Sequence, residues 1–198
     1  MISASERDPV ARQEWRDAVG EIESKDLVFI DETNANIALT RRYARAPRGE
    51  RATGSVPRNY GTSTTMVAAL SIGGLGAVMT LEGALDTIAF DVYVERFLCP
   101  TLRHGQVVVM DNLSVHKGDS ARAMIEAAGC NVLFLPPYSP DFSPIELTFS
   151  KVKEALRAMG ARTQAELDDA IGEAIGTVRQ SDAIGWFMHC GYSPPSPN

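Results

Sequence analysis

Three runs of four apolar residues constrain this chain most: "LVFI" at 27–30, "VVVM" at 107–110 and "VLFL" at 132–135. Each is short, rich in branched side chains and bounded by polar residues, as in strands buried on both faces. Between the first two lie "TTMVAALSIGG" and "GAVMTLEG", which read as antiparallel strands turning at Gly73, Gly74 and Gly76. That glycine cluster is not a phosphate loop, because no Lys-Ser/Thr pair follows it and no helix opens there.

Elsewhere the period becomes helical. Residues 86–102 place Ile88, Val92 and Phe97 with Leu98 near one face, and 117–129 end on Gly129, a natural helix stop. Residues 145–159 and 164–179 follow, the latter repeating Leu167, Ile171, Ile175 and Val178, while 5–22 carry a weaker lead-in pattern. Strand, hairpin, helix, strand, helix, strand, helix is the order of an α/β fold, a mixed sheet flanked by helices.

An apolar share of 44% and a charged share of 22% over 198 residues fit one globular domain with a sizeable core. The longest apolar runs are four or five residues, so none spans a membrane, and the polar start is no secretory signal. Cys99, Cys130 and Cys190 are odd in number and far apart, which suits a reducing cytoplasm. Only His189 stands beside a cysteine, which argues against a zinc site.

The charge is segregated. Arg41, Arg42, Arg45, Arg48, Arg51 and Arg58 against Glu50 give residues 41–58 a charge of +5, leaving −11 for the rest of a chain with net −6. Arginine's planar fork pairs two phosphate oxygens at once, so the segment is a candidate nucleic-acid contact; a charged hairpin tip is the alternative.

Asp31 ends the first apolar run and Asp111 the second. A carboxylate at the end of a buried strand costs several kcal/mol unless it is paired or binds a cation. Neighbouring strands lie about 4.8 Å apart, close enough for two such acids to share an ion. A helix entering after the third run would bring Glu146 toward the same point. Glu146 also has a structural reading: Ser143-Pro-Ile-Glu146 has the pattern of a capping box, worth roughly 0.5–2 kcal/mol, as has Thr163-Gln-Ala-Glu166. Three hard oxygen donors suit two Mg²⁺ or Mn²⁺ ions, the arrangement for in-line displacement at a phosphodiester.

"FIDETN", "VVVMDNLSVH" and "LFLPPYSPDFSPIELTFSKVK", with 34 residues between Asp111 and Glu146, together resemble DDE transposases of the mariner-like superfamily, in particular their bacterial insertion-sequence members. The resemblance implies a ribonuclease H-like fold over residues 26–192; residues 1–25 read as a lead-in helical segment, and the proline-rich 193–198 as a disordered tail. It implies that Asp31, Asp111 and Glu146 are the catalytic, metal-binding triad. Asn112 and His116 match the family's D-N-x-x-x-H and are expected to contact the site or DNA. His116 is expected as a hydrogen-bonding neighbour rather than a ligand, and Glu32 as pointing away from Asp31. Tyr138, Ser139 and Pro140 would shape the loop before the catalytic helix, with Tyr138 grouped with the arginines as a DNA contact, and Asp141 would fix that loop.

The resemblance further implies cleavage and strand transfer of DNA, insertion at TA, a homodimer on DNA and a cytoplasmic, nucleoid-associated place in a bacterium. Few residues precede Asp31, so the helix-turn-helix half that reads element ends is expected as a separate or frameshift-fused product, or as lost from this copy. Two function classes stand: a transposase catalytic domain, and an idle remnant or partner acting through the arginine segment. An aspartate-based phosphotransferase is disfavoured, because Thr33 stands two positions after Asp31 where that chemistry needs a second aspartate.

Overall fold

The three apolar runs lie side by side. In the structure, a computed structural model describing residues 7–113, 116 and 118–193, five strands form one sheet among the described residues. They are β1 (Leu27–Ala35), β2 (Thr64–Ser71), β3 (Gly74–Glu82), β4 (Val107–Met110) and β5 (Asn131–Phe134), in the order β3-β2-β1-β4-β5. The hairpin β2–β3 and the pair β1–β2 are antiparallel, whereas β1, β4 and β5 run parallel.

Strand alternation divides the core in two. Leu27 and Phe29 face α1 (Pro9–Gly20), α4 (Pro144–Met159), α5 (Gln164–Gly176) and α6 (Gln180–His189). Val28 and Ile30 face α2 (Thr87–Tyr93) and α3 (Asp119–Ala127). Both faces of β1 are therefore buried, and each fully buried Leu, Ile or Phe contributes about 1.5–3 kcal/mol. Phe29 is the hub of the first core: the Phe187 ring meets it edge-on at 5.4 Å and Tyr192 at 5.2 Å. Continued alternation puts Asp31 on the α4 side and Glu32 on the α2–α3 side.

Three expectations need correction. The face predicted for 86–102 is wrong at Ile88, Val92 and Phe97, which are exposed, and right at Leu98, which is buried together with Phe90, Tyr93 and Val94. Over 87–93 the helix turns Phe90 and Tyr93 inward, and a π turn over Val94–Leu98, followed by a 3-10 turn, shifts the phase beyond them, so that Leu98 is buried and Phe97 exposed. The helix expected over 164–179 stops at Gly176, so Val178 lies in a link, and α6 follows without having been predicted. Only Ala183 and Phe187 of α6 are buried, too few for a readable stripe. The helix expected from 117 starts at Asp119, with Lys117 outside the described residues. Residues 194–198 of the expected tail also lie outside them.

Candidate active site

β1 and β4 pair only from Leu27↔Val107 to Phe29↔Val109. Extending that register sets Asp31 level with Asp111. β1 itself runs on to Ala35 against β2, so Asp31 sits inside the strand; what ends near it is the pairing with β4. On the far side of β4, the Leu135 amide donates to the Met110 carbonyl at 2.8 Å, and the Asn112 side-chain amide donates to the Leu135 carbonyl. Where β1 and β4 part, a cavity of about 480 Å³ opens, lined by Asp31, Asp111, Asn112, Tyr138 and Glu146 among others.

Glu146 reaches it from the first turn of α4. Ser143 is the N-cap residue, but its side chain makes no capping hydrogen bond. The box at the next helix does close: the Glu166 amide donates to Thr163 Oγ1 at 3.2 Å, and Glu166 Oε2 accepts from the Thr163 amide at 3.2 Å. Of two similar sequence patterns, one is spent on its helix and the other leaves its carboxylate to the cavity.

Crowding these acids shifts their protonation. Burial, then repulsion from Glu146, Glu32 and Asp111, raises Asp31 to about 7, partly offset by the Glu32 amide donating to its Oδ1 at 2.8 Å. Burial also raises Glu146, with Lys153 opposing and Asp111 adding. Lys153 is lowered by its own burial and by Arg157, against the pull of Glu146 and Asp31. Sequence reasoning missed Lys153, although two helical turns separate it from Glu146 and put both on one face.

His116 is wholly buried on the α2–α3 side, its ring 4.7 Å from that of Phe90. Nδ1 lies 2.6 Å from Asp111 Oδ1 and Nε2 lies 3.1 Å from Glu32 Oε2, the latter an ion pair without hydrogen-bond alignment. Burial alone lowers a histidine, but the two carboxylates outweigh it and hold His116 up, at about 9. With no exposed surface, the ring offers nothing to DNA in this structure, contrary to its grouping with DNA contacts. Glu32 does point away from Asp31, yet the imidazole links it back to Asp111.

Other expected residues stand at the surface. Tyr138 is 58% exposed at the cavity rim, in a left-handed backbone conformation with φ of +55°. Asn112 is exposed, and so are Arg41, Arg42, Arg45, Arg48, Arg51 and Arg58, in a stretch between β1 and β2 with neither helix nor strand. Arg162 ties the base of that stretch down, donating to the carbonyls of Ile37 and Leu39 at 3.0 Å each. Asp141 is gripped by Arg7 and Arg12 of the lead-in segment, a pairing across more than a hundred residues that no local pattern signals.

The donor set is all hard oxygen, and its mutual repulsion is what a bound cation would relieve. Among the described residues, no three His, Cys, Asp or Glu side chains converge tightly enough to hold an ion as they stand. The acids share a cavity rather than a point. No helix of the described residues is long and apolar enough to cross a membrane.

Among solved structures, a pre-cleavage Mos1 transpososome superposes with a TM-score of 0.74 at 15% identity, over 96% of this chain and 61% of the other. The mariner Mos1 paired end complex with Mg gives 0.72 at 15% identity, over 96% and 63%. The catalytic domain of Mos1 mariner transposase gives 0.66 at 11% identity, over 96% and 91%. This chain thus spans 61% of the chain in the transpososome. At such identities the likeness is one of fold, the ribonuclease H-like sheet flanked by helices. No curated protein matches the sequence. Residues 26–168 match the family model for DDE superfamily endonucleases. With most of its length inside that match, Asp31, Asp111 and Glu146 included, the chain belongs to the DDE superfamily endonuclease family.

Proposed function

We propose that this chain is a transposase catalytic domain that cleaves and joins DNA strands at the cavity between β1, β4 and α4. One observation carries the reading: carboxylates from three separate elements, Asp31, Asp111 and Glu146, line the same partly buried space. These three would hold two Mg²⁺ or Mn²⁺ ions. Such a pair, when bound, activates the attacking oxygen and stabilises the leaving one. The chain's own residues do the rest. His116 restrains the Asp111 carboxylate, and Lys153 offers a cation beside Glu146. Tyr138 offers a ring at the rim on which a base can stack.

Arg41, Arg42, Arg45, Arg48 and Arg51 hold the DNA backbone, with Asn112 nearer the cut. Phosphate contacts carry no sequence information, so reading the element's ends is assigned to a helix-turn-helix part acting with this domain. A homodimer on paired ends, insertion at TA and a bacterial insertion sequence at the nucleoid complete the proposal.

The second reading, a DNA-binding partner with an idle site, draws on the arginine stretch and on acids that do not yet converge. One assay separates the two. With Mn²⁺ the chain is expected to nick supercoiled plasmid, and Asp31→Asn, Asp111→Asn and Glu146→Gln are each expected to abolish nicking. Binding without nicking by the wild-type chain, or nicking that survives all three changes, overturns the enzyme reading.

A further inference from the structure

Helix α1 lies outside the family-matched stretch, yet it grips the loop between β5 and α4. Arg12 Nη1 donates to Ser139 Oγ at 2.6 Å and to Asp141 Oδ1 at 3.1 Å, while Nη2 donates to Asp141 Oδ2 at 2.7 Å. The same guanidinium sits 4.0 Å over the Phe142 ring. Arg7, just before the helix, pairs with Asp141 as well and donates through Nε to the Tyr138 carbonyl at 3.0 Å. The helix is a firm base for these contacts, because Trp15 and Val19 are buried in the larger core. The Tyr192 hydroxyl also donates to the Phe142 carbonyl, at 2.5 Å.

The loop so gripped carries two things the cavity needs. Its Tyr138 holds a left-handed backbone, a strain that persists only where surroundings impose it. Its end, Ser143, starts the helix turn that bears Glu146. A single half-exposed ion pair stabilises little, so contacts to Tyr138, Ser139, Asp141 and Phe142 from one short segment point to holding a shape rather than to adding stability.

We propose that Arg12, assisted by Arg7, is a positioning residue for strand cleavage: α1 fixes the loop that sets Tyr138 at the rim and aims Glu146 into the cavity. The proposal rests on the reading of that cavity as the reaction site, and its test keeps the two apart.

The test reads two quantities on the full chain: Mn²⁺-supported plasmid nicking, and amide hydrogen exchange across residues 137–147. Misplacement of about 1 Å can cost a hundredfold in rate, so Arg12→Ala is expected to lower kcat roughly 10- to 100-fold with KM little changed. Exchange over 137–147 is expected to quicken while β1 and α5 stay as in the wild type. Gln13→Ala, on the exposed face of the same helix, is expected to change neither. The swap of Arg12→Asp with Asp141→Arg is expected to restore part of both. Should Arg12→Ala fail to fold, Arg12→Lys keeps the charge without the fork and is expected to show the same pair of effects. Unchanged exchange over 137–147, or quickened exchange with an unchanged kcat, overturns the proposal. If the wild-type chain does not nick at all, the reaction reading fails, and the exchange measurement alone decides whether α1 holds the loop.

Discussion

Nδ1 of His116 lies 2.6 Å from Oδ1 of Asp111, and the ring between that carboxylate and Glu32 has no exposure to solvent. Removing the imidazole leaves the Glu32 carboxylate inside without its cation. Breaking a buried pair in this way costs about 3–5 kcal/mol, so His116→Ala is expected to lose stability on that scale in urea unfolding. Adding Glu32→Gln to it should recover part of the loss, because the stranded charge is gone. A His116→Ala chain as stable as the wild type would show that the contact is incidental.

Asp31→Asn is expected to do the opposite to stability. Its carboxyl is raised by burial and by three neighbouring acids, so the folded state bears a cost that an amide removes. Without added metal, the variant should melt higher than the wild type, by a gain on the order of 1 kcal/mol. Mg²⁺ should raise the melting temperature of the wild type through binding and leave Asp31→Asn where it is. Equal metal responses in the two would remove Asp31 from the ligand set.

Arg41, Arg42 and Arg45 are exposed and carried on irregular backbone, a setting for phosphate contact without base reading. Changing all three to Gln is expected to weaken binding alike for unrelated duplexes. The salt slope should flatten by about 0.9 for each phosphate that is no longer neutralised. An unaltered slope in a titration from low to physiological salt would exclude this stretch from the interface.

The grip of α1 on its loop should weaken in acid. Burial pushes the Asp141 carboxyl up, but Arg12, by hydrogen bonds and charge, and then Arg7 outweigh it and hold it below its usual range. For a depressed carboxyl, the stabilisation is full above the unfolded value, about 3.9, and fades as pH falls through the folded one. Melting curves of wild type and Asp141→Asn should therefore differ at neutral pH and approach each other below about pH 4. A gap that stays constant down to pH 3 would mean that the charge pair contributes nothing.

Much of this was legible beforehand for a physical reason. A strand buried on both faces must be written in apolar residues, so β1 and β4 announce themselves, whereas the apolar run of β5 belongs to an edge strand that is only half-buried. An acid closing a run buried on both faces is conspicuous because it is costly. The missing parts answer to other rules. The face of α2 is set by Phe90 and Tyr93, and the phase beyond it by a π turn over Val94–Leu98 that no fixed period anticipates. Helix α6 buries only Ala183 and Phe187. Ser143 and Thr163 head the same local pattern, and which glutamate closes its box depends on what lies beyond each helix end. The Arg12–Asp141 contact and the return of His116 to Glu32 are tertiary facts with no local trace.

Arg162, by fastening the carbonyls of Ile37 and Leu39, separates the exposed arginine stretch from the strands that carry the acids. The level of Asp31 with Asp111 is fixed by the short parallel ladder from Leu27 to Phe29, and nothing in residues 40–60 takes part in it. That stretch can lengthen, shorten or change its charges while the spacing of the acids stays the same. Under the proposed roles, a lineage of such chains could change its grip on DNA by insertion and deletion, the coarsest kinds of mutation, without moving the acids it would cut with.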